Sequence, residues 1–299
     1  MVEGVLIDDL KDLIGELVGS GAAMEVLRDV KAVSDSTTIL RIDDQAFRCV
    51  LQISPPSHPD VVAEASDRAH EFAAAVGLSL ASPMLMPIAE GRHRGRSFAI
   101  LPHRFSFSTN KLKWPYQRAA VAPAVLNWLA RLSGRADVRN DDPANLSIYR
   151  TNLLALATQQ GLDKDVRDAA EDAAERLERR QFEPRICPMH GDLWLGNILR
   201  APSGFSYPFS VIDWRGSRVR GFPIFDLVRL SMSYRLSSRR LAREIARHAE
   251  IMGCSTTDAH GHLLAALGHY AINRGEMPLP NFLGMAQRCD QVYRLAMAC

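Results

Sequence analysis

Apolar residues change their period along the chain. Between residues 4 and 19, Val5, Leu6, Leu10, Leu13, Ile14 and Leu17 recur on one side at helical spacing, which predicts an amphipathic helix. Residues 25–33, 37–43 and 47–53 carry short apolar runs and predict three strands, with Asp43-Asp44-Gln45-Ala46 as the hairpin turn between the last two. Residues 59–76 are Ala-rich and place Asp60 and Glu64 in the early turns, where a helix dipole favours carboxylates; a helix is expected there. Strands are expected near 84–89 and 97–102. From about Trp114 onward the period is helical, over 115–133, 163–181, 238–252, 257–273 and 280–297. Glu175 and Arg179 sit four apart in the highly charged 163–181 segment, which marks a solvated face. Residues 186–215 interrupt the helices with two short strands around a turn rich in Pro, Ser and Gly. The pattern predicts an α+β chain: residues 1–104 as a small antiparallel β-sheet lobe with one main helix, and residues 105–299 as a larger, mostly helical lobe. A cleft between two such lobes is the expected place for an active site.

Composition narrows the class. A chain of 299 residues can bury a sizeable core without disulfides or metals. With 47% hydrophobic and 23% charged residues it is neither disordered nor fibrous. Lys+Arg 36 against Asp+Glu 34 leaves a net charge of +2, which argues against a nucleic-acid partner. The five cysteines include no CxxC pair, so neither a zinc site nor a disulfide framework is indicated, and a reducing cytoplasm fits best. The acidic, amphipathic N-terminus does not read as a signal peptide. The uncharged run 72–89 contains Gly77, Pro83 and Pro87 and does not read as a membrane span.

The chemistry concentrates in His190-Gly191-Asp192-Leu193-Trp194-Leu195-Gly196-Asn197 and Val211-Ile212-Asp213-Trp214. Transfer of a phosphoryl group from ATP needs one carboxylate to accept the proton of the attacking hydroxyl. It also needs oxygen ligands that hold Mg²⁺ against the phosphates. Asp192 and Asn197 lie five apart on a loop that leads into a strand, and Asp213 ends the partner strand of a hairpin over 198–212. Taken singly, Asp192 and Asn197 read as cap or turn residues. Taken together amid apolar strands they point to chemistry, the more so because a carboxylate ending the apolar run 209–212 would be costly near a core. A metallohydrolase built on His190, Asp192 and Asp213 would lack a second histidine at ligand spacing.

With the later Gly221-Phe222-Pro223-Ile224-Phe225-Asp226-Leu227, these segments resemble the aminoglycoside phosphotransferase and choline kinase family of the protein-kinase-like superfamily. The resemblance is strongest over 186–230, where three motifs fall in order. No Asp-Phe-Gly or Ala-Pro-Glu is present, so a protein kinase is less well matched. The resemblance implies a two-lobed protein-kinase-like fold and transfer of the γ-phosphoryl group of ATP to a hydroxyl of a small molecule. It implies Asp192 as base, Asn197 and Asp213 as Mg²⁺ ligands, His190 orienting the loop, and Asp226 bracing it from the next helix.

The N-terminal lobe departs from that family. The lysine expected on the third strand is replaced by Gln52, which has no charge. Arg48 shares the strand parity of Gln52 but lies four residues earlier, about 13 Å along the strand; Arg41 is a further candidate. Glu64 matches the family's helix glutamate. The hairpin over 33–38 has no glycine, leaving the hydroxyls of Ser36 and Thr37 as weak phosphate contacts. These departures define the alternative, a weak or inactive kinase-like protein that binds a nucleotide or metabolite. Arg215 and Arg218, in an expected flexible loop with Arg220 and with Arg229 beyond it, suggest an anionic group on the acceptor. The competing reading pairs these arginines with the charged 163–181 helix. No acidic surface suited to a polycationic aminoglycoside is evident.

Overall fold

The computed structural model describes residues 23–28, 37–43, 48–136, 142–202, 204–275 and 277–299. The helix expected at 4–19, Ser36 and most of the two expected hairpin turns lie outside the described residues. The chain separates into two compact units. The first takes the N-terminal residues through Glu71, Met84–Phe105 and Ile212–Arg215; the second takes Phe72–Pro83, Ser106–Val211 and Gly216–Cys299.

The first unit is organised by an antiparallel five-stranded sheet in the order β1-β2-β3-β5-β4. Its strands are β1 (Ala23–Arg28), β2 (Thr38–Asp43), β3 (Arg48–Ile53), β4 (Ala89–His93) and β5 (Arg96–Pro102). Alternation sets the faces: Leu40 and Ile42 of β2 and Cys49, Leu51 and Ile53 of β3 form a buried core with Phe98 and Ile100. Burying each large aliphatic side chain is worth roughly 1.5–3 kcal/mol over leaving it exposed. Gln52 falls on the opposite face, between Ile39 and Ala99. The strand expected at 84–89 is displaced to Ala89–His93. Pro87 cannot donate to a ladder, and pairing with β5 begins only where the Ile88 N–H reaches Ile100 O at 2.8 Å. Helix α1 (Val61–Val76) starts against the sheet. Its Val62 N–H donates to Ser54 Oγ at 2.9 Å and its Ala63 N–H to Ser97 Oγ at 3.1 Å, so a serine just after β3 and one in β5 satisfy amides that the helix cannot.

The second unit holds α2 (Leu78–Ala81), α3 (Lys113–Ser133), α4 (Pro143–Ala157), α5 (Lys164–Glu178), α6 (Phe225–Tyr234), α7 (Ser238–Met252), α8 (Thr256–Ile272) and α9 (Leu279–Met297). Two short ribbons join them: β6 (Cys187–Met189) with β9 (Arg218–Gly221), and β7 (Ile198–Arg200) with β8 (Phe209–Val211). The segment 215–221 is therefore not a flexible loop, since its second half is a strand paired with β6. Helix α4 packs closely on α8, where a Cβ on Gly268 would lie 1.9 Å from the Asn152 carbonyl oxygen, so only glycine permits that approach. All five cysteines are free thiols. Among the described residues no helix is long and apolar enough to cross a membrane.

Candidate active site

The loop after β6 is held by a carboxylate from a distant helix. Asp226, in the first turn of α6, accepts the His190 N–H on Oδ2 at 2.6 Å and the Gly191 N–H on Oδ1 at 3.0 Å. Burial pushes the Asp226 carboxyl above its ordinary range, opposed by His190 and by those two backbone donors. Ile224, just before α6, is held at φ 73, a left-handed conformation that is costly for a β-branched residue. Gly191 itself is at φ 85, and a Cβ there would lie 2.4 Å from Gly216 O. Its carbonyl accepts from Tyr270 Oη at 2.7 Å, and burial keeps that phenol protonated. His190 is fully buried, and its Nδ1 accepts the Asp192 N–H at 3.3 Å.

This bracing presents Asp192. Its side chain is 48% exposed, and Oδ1 accepts from Arg229 Nη2 at 3.1 Å. Asn197 is buried at the end of a 3-10 turn over Leu195–Asn197. Its Nδ2 donates to the Asp192 carbonyl at 2.8 Å and lies 3.4 Å from Asp192 Oδ2. The turn is pinned to α6 by the Leu195 N–H on Ser233 Oγ at 2.9 Å, and Gly196 lies directly against the Trp194 ring. Asn197 runs straight into β7, whose Ile198 faces Val211 of β8. The structure thus brings together His190, Asp192 and Asn197 with Asp226. It adds two residues that the sequence reading did not assign to the site: Arg229 was seen only as part of a basic cluster, and Tyr270 gave no sequence signal.

Residues 212–215 follow β8 directly and belong to the first unit. Asp213 is at φ 66 and exposed, so the expected cost of burying its carboxylate does not apply. Its left-handed backbone is the unusual feature instead, costing a non-glycine residue about 1–2 kcal/mol. Arg215 Nε lies 3.8 Å from Glu64 Oε2. Arg48 pairs with Asp43 at the hairpin base, and Arg41 with Glu25 and with Asp43 at 2.8 Å. Gln52 sits mid-strand, and Thr37 immediately precedes β2.

Arg215, Arg220 and Arg229 take partners outside α5. Arg220 donates to Asn145 Oδ1 at 2.7 Å at the start of α4, while Arg218 opens β9 opposite Met189. Helix α5 takes other partners, with Glu178 on Arg150 at 2.8 Å and Asp165 on Arg294 at 2.9 Å. Among the described residues no three His, Cys, Asp or Glu side chains gather to hold a metal ion.

A sheet-bearing N-terminal part followed by a mostly helical part, with a His-Gly-Asp loop braced by a helix carboxylate, defines a kinase-like fold. The family model of the phosphotransferase enzyme family (APH) matches residues 26–261, and the chain belongs to that family. The fold is shared with solved structures of low sequence identity. An aminoglycoside phosphotransferase, APH(4)-Ia, solved as a thermostable mutant with ADP and hygromycin B, matches at TM-score 0.57 and 16% identity over 96% of this chain and 98% of that one. The choline kinase LicA from Streptococcus pneumoniae matches at TM-score 0.55 and 13% identity, over 97% of this chain and 99% of that one. A choline/ethanolamine kinase family protein from Mesorhizobium loti matches at TM-score 0.51 and 14% identity, over 98% of each chain. No curated protein matches the chain.

Proposed function

We propose that the protein transfers the γ-phosphoryl group of ATP to a hydroxyl of a small molecule, with Asp192 as the base. The observation that carries this reading is the Asp192 carboxylate, half exposed at the end of a loop fixed from below by Asp226 and Tyr270. Such a carboxylate would accept the hydroxyl proton as the acceptor oxygen bonds to the γ-phosphorus and ADP departs. Arg229 would keep it oriented. Asn197 has its Nδ2 engaged by Asp192, which leaves Oδ1 as its cation-facing end. We assign Asn197 Oδ1 and the exposed Asp213 carboxylate to Mg²⁺. Both are hard oxygen donors, and this ion takes few protein ligands and fills its shell with phosphate and water. Bound there with ATP, Mg²⁺ would neutralise charge on the transferring group.

The nucleotide side carries a refinement. With Gln52 uncharged, Arg215 is the cation beside Glu64, so we assign it to the nucleotide phosphates and leave Arg218 as the candidate for an anionic acceptor group. The test is ATP or GTP consumption with Mg²⁺ across a panel of small hydroxyl compounds, beside nucleotide titration by thermal shift. Acceptor-dependent nucleotide consumption supports transfer. Nucleotide binding with no consumption across the panel would leave the non-catalytic binding protein as the better account.

A further inference from the structure

A cavity opens between α3 and the turn that joins α6 to α7. It has a volume of about 200 Å³ and is lined by Arg118 of α3 and by Tyr234, Arg235, Ser237 and Arg240 around the turn between α6 and α7. Three arginines reach it, and no lining residue is acidic. Arg118 stacks on Trp114 with its guanidinium carbon 4.1 Å from the ring centroid, and Arg235 approaches the same ring at 5.9 Å. Two like charges are thereby held near one another, and burial together with Arg235 lowers the pKa of Arg118.

Two donors at this cavity lack partners. Tyr234 is 2% exposed, and among the described residues its hydroxyl has no hydrogen-bond partner; Arg118 Nη1 is likewise buried and without a hydrogen-bond partner there. A buried donor without an acceptor is costly, and here a phenol and a guanidinium share that state at one hollow. Helix α7 begins at the same place. Ser237 is its N-cap, accepting from the Arg240 N–H, and its first turn carries no acid, so its dipole adds positive potential. Arg235 is itself the left-handed residue, at φ 51, that ends α6.

We propose that this cavity binds a small phosphate-bearing anion. Guanidinium forks, a buried hydroxyl donor and a helix N-terminus are each suited to phosphate oxygens, and one anion would satisfy both orphan donors and relieve the repulsion between Arg118 and Arg235. The size suits inorganic phosphate or the head of a phosphate monoester. It falls below the roughly 300–1,000 Å³ of sites that enclose drug-sized ligands, so a whole nucleotide is not the occupant. The site is independent of the assignment of Asp192.

The test is calorimetric titration with inorganic phosphate and with glucose 6-phosphate, in the absence of ATP and Mg²⁺. It uses the full chain and an Asp192→Asn variant. Saturable binding of equal strength to both proteins is expected. Arg118→Gln and Arg235→Gln should each weaken it on the order of tenfold, the loss of one charge-assisted contact. Tyr234→Phe should weaken it severalfold, and Arg243→Gln, outside the cavity, should leave it unchanged. Arg240→Gln serves as a further cavity variant should Arg118→Gln alter the circular dichroism spectrum. Absence of saturable binding at millimolar phosphate would overturn the proposal, as would binding lost with Arg229→Met but indifferent to the cavity arginines.

Discussion

Arg229 reaches from α6 to place Nη2 3.1 Å from Oδ1 of Asp192, 37 residues earlier in the chain. The same helix supplies Asp226, which holds the backbone just before Asp192. One helix thus fixes both the main chain and the carboxylate of the proposed base. Asp192 is about half exposed, so the pair adds little to stability and its weight falls on orientation.

Replacing Arg229 with Met should lower turnover about 10–100-fold, and Arg229→Lys should recover part of it, since a point charge restores attraction but not fork geometry. Nucleotide affinity should stay within about twofold. Steady-state kinetics of the three proteins reads this directly; unchanged turnover in Arg229→Met would remove Arg229 from the site.

Gly191→Ala should be severely disabling. The added Cβ would meet Gly216 O at 2.4 Å and Tyr270 Oη at 2.9 Å, on a residue at φ 85. A stability loss of about 2–4 kcal/mol is expected from the clash and the strained backbone together. Tyr270→Phe removes only the hydroxyl that donates to Gly191 O, and should cost about 1 kcal/mol. Urea unfolding of both variants checks the order; a Gly191→Ala protein as stable as the parent would mean that the loop lies elsewhere.

Acid should weaken the fold through two buried histidines. Burial pushes His248 down to about 4, helped slightly by Arg247, and His262 down to about 3. His248 Nδ1 is bonded to Ser133 Oγ at 2.8 Å, and His262 Nδ1 to Tyr149 Oη at 3.0 Å. Both imidazoles stay neutral in the fold, whereas in the unfolded chain they take up protons below about pH 6.5. The unfolded state then binds more protons, so stability is lost as pH falls from about 6.5 toward the folded values. Each group contributes on the order of 3 kcal/mol of that loss between pH 6.5 and 4. In an NMR titration the two ring signals should stay flat from pH 8 to 5; either one titrating near 6.5 would contradict the burial argument.

The parts of this fold that were legible in the sequence are those with a strong local signal. Alternation in 37–43 and 47–53 placed β2 and β3 within one residue, and the apolar segments around a Pro-, Ser- and Gly-rich turn marked β7 and β8. Helix α4 escaped because its apolar residues do not share a face: Tyr149, Leu153 and Leu156 are buried while Ile148 and Leu154 are exposed. Its start was nonetheless written in Asp142 and Pro143, where the Asp142 side chain accepts the Ala144 N–H at 3.0 Å. In the site, His-Gly-Asp and Asn197 announced themselves through residue type and spacing. Arg229 and Tyr270 did not, because their roles rest on contacts 37 and 79 residues away in sequence that only packing creates.

The most direct measurement is the rate at which purified Asp192→Asn protein forms a phosphate monoester from Mg²⁺–ATP and an acceptor turned over by the parent, followed by ³¹P NMR. The account predicts a fall of about 10²–10⁴-fold with nucleotide affinity within about threefold of the parent, the signature of a lost general base. Parent-like turnover in Asp192→Asn would contradict it.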